Sequence, residues 1–302
     1  MRRIILGTDW WTDCDDVAAL RICAKAHKAG LWQLSGVCID ACMEMSAASV
    51  NAFLTADGLP DIPIGIDHRA VDFLGEPVYQ YKLAEKFPHM VNKNTDCPDA
   101  LELYKQLLSE SGEKETDIIE IGFPHVLASL LKDPTGYELV RTRVRQFFIM
   151  GGCFADGGMG REHNFSLTEK ASRGAAYFCA NAPCPVTFLG FEVGVSVISG
   201  GNPENDNSLS SDPLVCAFDA HGSHNGRSSW DPMTVLLALI DDPEKAGYTC
   251  HYGTASVDPL TGDNSFKYSS ADSFEENAMH RYVVKAKPDD EFSSELNSWL
   301  RY

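Results

Sequence analysis

Short apolar runs along this chain alternate with segments whose apolar positions return every three or four residues, so strand-like and helix-like periods follow one another. Residues 3–8 read as a first strand, and 15–29 as a helix with Val17, Leu20 and the neighbouring alanines on one face. Gly30 closes that helix where a left-handed cap residue fits. A strand at 33–39, a helix at 46–57 capped by Gly58, a strand at 62–66, a helix at 98–109 and a strand at 117–121 continue the rhythm. Further on, 146–150 runs into Gly151-Gly152, a helix covers 169–181, and a strand at 186–189 ends at Gly190. Strand-like 248–256 and 281–285 and a last helix at 289–300 complete the pattern. This order predicts an α/β fold, an open, mostly parallel sheet flanked by helices. In such sheets ligands bind beyond the carboxyl ends of the strands, which here carry glycines and acids. The stretches 67–97 and 200–229 lack a clear period and read as long surface loops. With no linker, internal repeat or low-complexity tract, a single domain over 1–302 is expected.

Charge narrows the partners. Forty-three acids oppose 25 bases, a formal net charge of −18, so the chain lacks the clustered cations that phosphate neutralisation requires. A small-molecule substrate is the expectation, and nucleic acid is not. No stretch approaches the roughly 18 apolar residues of a membrane span, and the four-residue apolar run after Arg2-Arg3 is too short for a signal-peptide core. The ten cysteines show no repeated CxxC spacing in a chain long enough to build a full core, which predicts reduced thiols in a cytoplasmic protein.

Candidate chemistry concentrates just after the first strand, where Asp9, Asp13, Asp15 and Asp16 place four carboxylates in eight residues. Helix N-caps and first turns favour Asp, which accounts for Asp13 and Asp15. Asp9 sits earlier, at the strand end, and oxygen donors crowded there suit a hard cation such as Ca²⁺ or Mg²⁺. An EF-hand does not fit, because its third and sixth positions counted from Asp9 are Trp11 and Cys14. A phosphotransferase of the haloacid dehalogenase kind wants an acid two residues after the nucleophile, and Trp11 stands there as well.

The run Thr8-Asp9, Thr12-Asp13-Cys14-Asp15-Asp16-Val17-Ala18-Ala19-Leu20 resembles the N-terminal signature of the inosine-uridine nucleoside hydrolase family. Three further landmarks resemble that family in the same order: Ile121-Gly122-Phe123-Pro124 before a helix, Met150-Gly151-Gly152 followed by Glu162-His163-Asn164, and Trp230-Asp231-Pro232. The resemblance spans about residues 4–240. It implies a nucleoside-hydrolase-like fold, a homo-oligomer (dimer or tetramer) and hydrolysis of the N-glycosidic bond of a ribonucleoside. It also implies a Ca²⁺ held by Asp9, Asp16, Asp231 and the main-chain carbonyl of Ile121, with Asp9 as general base. Asp15, Asp40, Met150, Glu162 and Asn164 are implied as substrate contacts. Asn164 also reads as a turn residue, and Asp231 before Pro232 as a helix N-cap, a role compatible with ligation.

Departures from the family pattern bear on mechanism. Gly7 stands for the first Asp, Trp11 for a Gly, and Trp230 for the histidine that helps the base leave. Replacement acids are to be sought among His163, His221, His224, His68, His89 and Asp67. Trp10, Trp11 and Trp230 are either core residues or stacking surfaces for a planar base, and the stacking reading favours purine-like bases. Two further functions stay open: hydrolysis of a modified nucleoside or other N-riboside, and ribose or nucleoside binding without turnover.

Overall fold

The computed structural model describes residues 1–11, 13–72, 76, 78–155, 157–276 and 278–301. Thr12 of the acidic run, and 73–75 and 77 of the first long loop, lie outside these described residues. Eleven strands are present among them: β1 (Arg3–Thr8), β2 (Gln33–Ile39), β3 (Ile64–Ile66), β4 (Thr116–Glu120), β5 (Val144–Met150), β6 (Val186–Leu189), β7 (Ile198–Ser199), β8 (Arg227–Ser228), β9 (Tyr248–Val257), β10 (Asn264–Tyr268) and β11 (His280–Lys285). Nine form one sheet in the order β10-β9-β11-β6-β5-β4-β1-β2-β3, while β7 and β8 pair separately. Strands β1 to β6 run parallel to one another and β11 parallel to β6, while β9 pairs antiparallel with both β11 and β10 at the edge. The expected open, mostly parallel α/β sheet is therefore the one observed.

Two-sided burial explains why the parallel strands read as apolar runs rather than alternations. Along β1, Ile4 and Leu6 pack into one apolar cluster and Ile5 into the other; Ile119 and Ile118 divide likewise in β4. The helix Asp15–Lys28 packs against Trp230–Ile240 and is buried on nearly every face. Its buried Arg21 holds Asp57 (Nε to Oδ2, 2.9 Å) and Asp212 (Nη2 to Oδ1, 2.7 Å), which ties three chain segments together.

Register aligns the strand ends that matter. Thr8 pairs with Ile39, Gly7 with Glu120, Glu120 with Ile149, and Met150 with Leu189. Asp9, Asp40, Ile121 and Gly190 thus leave one edge of the sheet within a single layer.

Both long loops contain helices that periodicity had missed. Gln80–Lys86 lies in the first, and Pro213–His221 in the second, where the Asp212 side chain accepts from Leu214 N and Pro213 occupies the first turn. The Asp-Pro pair was a readable start signal; helices this short give periodicity too few turns to register. Strand β10 escaped notice because three of its five residues are exposed. All ten cysteines are free, and no helix is long and apolar enough to cross a membrane among the described residues.

Candidate functional site

At that edge opens a cavity of about 330 Å³ whose wall includes Asp9, Asp13, Asp15, Asp16, Ile121, Met150, Glu162, Asn164 and Asp231. The size falls at the lower end of the range for small-molecule sites. Six carboxylates line it, delivered by the β1 end, the first helix, the loop after β5 and the start of Trp230–Ile240. Their oxygens are held by short-range contacts. Asp16 Oδ1 accepts from the Thr8 hydroxyl and from Trp10 N (3.2 Å), Asp9 Oδ1 from Trp11 N (3.2 Å), and Asp15 Oδ2 from Asp231 N (3.2 Å).

Asp15, Asp16 and Asp231 bring ligand atoms within 4.8 Å of one another, all three buried. Burial and then the neighbouring carboxylates push Asp9, Asp15 and Asp231 well above the usual carboxylate range; for Asp16 the causes are burial and then Asp9. Such a cluster is stable only with protons or a cation in its midst. An all-oxygen donor set of this kind fits a hard divalent ion, and Asp9 beside it could contribute a further oxygen. Asp15 belongs to this geometric group as closely as Asp16 does, which the resemblance had not implied.

Asp231 is not the N-cap of its helix. Ser229 holds that position and Asp231 lies one residue into the first turn, so its carboxylate is free of capping duty. Asp13, for its part, accepts from Cys14 N (2.7 Å) and forms a forked ion pair with Arg227: Nε to Oδ1 2.9 Å, Nη2 to Oδ2 2.6 Å.

Asn164, which also lines the cavity, donates Nδ2–H to the carbonyl oxygens of Ile121 (3.1 Å) and Met150 (3.2 Å), locking both strand ends. Glu162 caps the short helix His163–Ser166 through Asn164 N (2.7 Å) and accepts from Gly152 N (3.0 Å); burial nevertheless pushes it up to about 7.

Two expected substrate contacts lie elsewhere. Trp10 is fully buried, donates Nε1–H to Ser49 Oγ (2.9 Å) and packs edge-on against Phe53 and Tyr79, so it belongs to the core. Its backbone is left-handed at φ 44°, which turns the chain between Asp9 and Trp11. Asp40 is buried behind the cavity against Glu120. Two anions there would repel: burial and then Glu120 hold Asp40 well above the usual range, while burial pushes Glu120 up to about 7. Gly7 is now intelligible, because a Cβ on it would lie 2.2 Å from Glu120 Oε2; the Glu120 carboxyl fills the room a side chain would need. Gly122 is likewise forced, since a Cβ would meet Asp9 N at 2.4 Å.

Trp11 and Trp230 do line the cavity, each in an aromatic pair: Trp11 stacks on His163 (5.9 Å, 28°) and Trp230 on Phe191 (5.5 Å, 26°). Of the histidines considered as acids, His163 alone reaches the cavity wall among the described residues. His89 is tied to the carbonyls of Val91 (2.7 Å) and Ala84 (3.1 Å), His68 contacts the Cys97 carbonyl, His224 pairs with Asp219, and His221 lies 3.8 Å from Asp13 without lining the cavity. Asp67 pairs with His125 at 3.2 Å, away from the wall.

Two residues that sequence reasoning missed shape the site. Gln80, fully buried, donates Nε2–H to the carbonyls of Trp10 (2.8 Å) and Trp11 (2.6 Å) and so fixes the turn carrying Asp9. Arg227 lines the cavity. Both lie in the long loops, where nothing in the local pattern marked them.

No protein-family model matches the chain, and no curated protein matches it. Among solved structures it is similar to the type III effector protein XopQ complexed with adenosine diphosphate ribose. The TM-score is 0.66 at 16% identity, covering 99% of this chain and 92% of that one. The effector protein XOO4466 gives a TM-score of 0.65 at 17% identity, covering 99% and 93%. Identity this low establishes fold alone: the chain has the α/β, nucleoside-hydrolase-like architecture.

Proposed function

We propose that this chain hydrolyses the N-glycosidic bond of a ribonucleoside, purine or purine-like, to ribose and free base. The observation that carries the reading is convergence: Asp9, Asp16, Asp231, the Ile121 carbonyl, Glu162 and Asn164 come from separate segments to one cavity with stacked aromatic pairs beside it. Asp9, Asp16, Asp231 and the Ile121 carbonyl would hold Ca²⁺, which when bound lowers the pKa of the attacking water and anchors ribose hydroxyls. Asp9 takes the proton of that water. Asp15 accepts a ribose hydroxyl, and Glu162 and Asn164 bind the sugar too, Asn164 through Oδ1 because its Nδ2 is committed to two carbonyls. The carboxylates left ionised stabilise the positive charge that develops on the sugar. Trp11 and Trp230 offer ring faces that favour a broad base, and a missing 2′-hydroxyl leaves a buried acceptor unpaired, so 2′-deoxynucleosides are poor substrates.

A second reading is supported by the adenosine diphosphate ribose bound to XopQ: this cavity holds a larger riboside without turning it over. Incubation with a panel of ribonucleosides and with ADP-ribose separates the two. Free base and ribose, followed by chromatography, are expected under the first reading; tight binding of ADP-ribose with no release of base from any compound overturns it.

A further inference from the structure

Six carboxylates and a single histidine, His163, line the cavity among the described residues, and carboxylates oppose negative charge on a departing group. Among the described residues, one Lys or Arg side chain lines it: Arg227. The guanidinium lies over the Trp230 ring, 5.5 Å from its centroid, and Trp230 stacks on Phe191, so the cation adjoins an aromatic pair that lines the cavity. Asp13 grips Nε (2.9 Å) and Nη2 (2.6 Å), which fixes the plane of the group. A guanidinium has five N–H donors, and this fork leaves the Nη1 pair for a ligand. Arg227 and Asp13 are 37% and 32% exposed, so the pair is partly open to solvent rather than sealed in the core.

We propose that Arg227 is the leaving-group residue of this site, donating Nη1–H to an acceptor on the base and stabilising the charge that arrives there. Asp13 is its positioning residue. This rests on the hydrolase reading above. In the step, the C1′–N bond breaks with its electron pair going to the base, the water oxygen bonds to C1′, and the water proton goes to Asp9. The base then takes up one proton from solvent and Asp9 releases its proton to solvent, so ribose and neutral base result. Arg227 transfers no proton itself; a guanidinium stays charged throughout. His163 is a weaker candidate, because burial lowers its pKa and its described ring contacts, Trp11 and Phe123, do not orient a proton.

The test compares ribosides whose leaving groups differ in acidity. Inosine needs help to release its base, whereas p-nitrophenyl riboside releases a stable phenolate unaided. For Arg227→Gln, kcat on inosine should fall about 10²–10³-fold, the usual loss on removing a preorganised charge-stabilising donor. The loss on p-nitrophenyl riboside should be at least tenfold smaller, and activity on that substrate reports that the variant is folded. Asp13→Asn should show the same split with a smaller amplitude, as expected of a positioning residue. Equal losses on both substrates, or none on inosine, overturn the assignment while leaving hydrolysis in place. If His163→Ala shows the split instead, the role passes to that histidine. A wild-type protein that cleaves neither riboside overturns the hydrolase reading, and the assignment with it.

Discussion

Replacing Gln80 with Leu removes the amide that holds the turn between the first strand and the acidic helix. Its Nε2 donates to the Trp10 and Trp11 carbonyls at 2.8 and 2.6 Å, and Gln80, Trp10 and Trp11 are all at most 4% exposed. Leucine is close in volume, so little cavity forms, but two buried carbonyl acceptors lose their donor. Each unpaired buried acceptor costs about 1–3 kcal/mol, and release of the left-handed strain at Trp10 returns roughly 1 kcal/mol, so a net loss of about 1–5 kcal/mol is expected. For 302 residues, with an unfolding entropy of about 2.1 cal/mol/K per residue, that lowers Tm by about 2–8 °C. Urea unfolding should show an unchanged m-value with a lower midpoint. The same turn carries Asp9, whose Oδ1 accepts from Trp11 N, so any riboside hydrolysis should fall more than stability alone explains at temperatures where the variant is fully folded. A stability change below about 1 kcal/mol together with unaltered activity would refute the view that Gln80 fixes this turn.

Three further outcomes are expected. Asp9→Asn should keep the fold, the metal and weak riboside binding but lose about 10²–10⁴-fold in kcat, because an amide cannot take the water proton; turnover within tenfold of wild type at equal metal content removes Asp9 from that role. Chelation should lower activity and thermal stability together, with Ca²⁺ restoring both; saturation at about a hundredfold over Kd corresponds to about 2.7 kcal/mol, and a fully active metal-free preparation contradicts the carboxylate cluster as a cation site. Buried His280 accepts a hydrogen bond from Ala255 N (2.9 Å), and burial lowers its pKa to about 4, so the unfolded chain takes the proton first, near pH 6.5. Its contribution is whole above pH 6.5 and is lost as pH falls towards 4: wild type should lose about 2–3 kcal/mol relative to His280→Asn by pH 4.5, and a pH-independent gap would mean His280 is not held neutral.

Periodicity alone placed the strands of the parallel sheet and most of its helices, because strands buried on both faces leave short apolar runs and the helices packed on them leave apolar stripes. It also put Asp9, Ile121 and Met150 at strand ends or just beyond, which is where a parallel sheet opens to ligand. What the chain could not say locally depended on neighbours distant in sequence. Trp10 and Trp11 are adjacent and identical, yet one turns into the core beside Ser49 and the other onto His163; only packing against helix Ser46–Ala56 and the loop after β5 separates them. Asp40 reads as a strand-end acid like Asp9, but it is buried beside Glu120 of β4 and does not line the cavity. Gln80 and Arg227 lie in stretches without period, and their roles exist only because the fold brings an amide to two stranded carbonyls and a guanidinium to Asp13. Hydrophobic pattern reports which face of an element is buried; the partner of a polar group is set by three-dimensional proximity, and no local period encodes it.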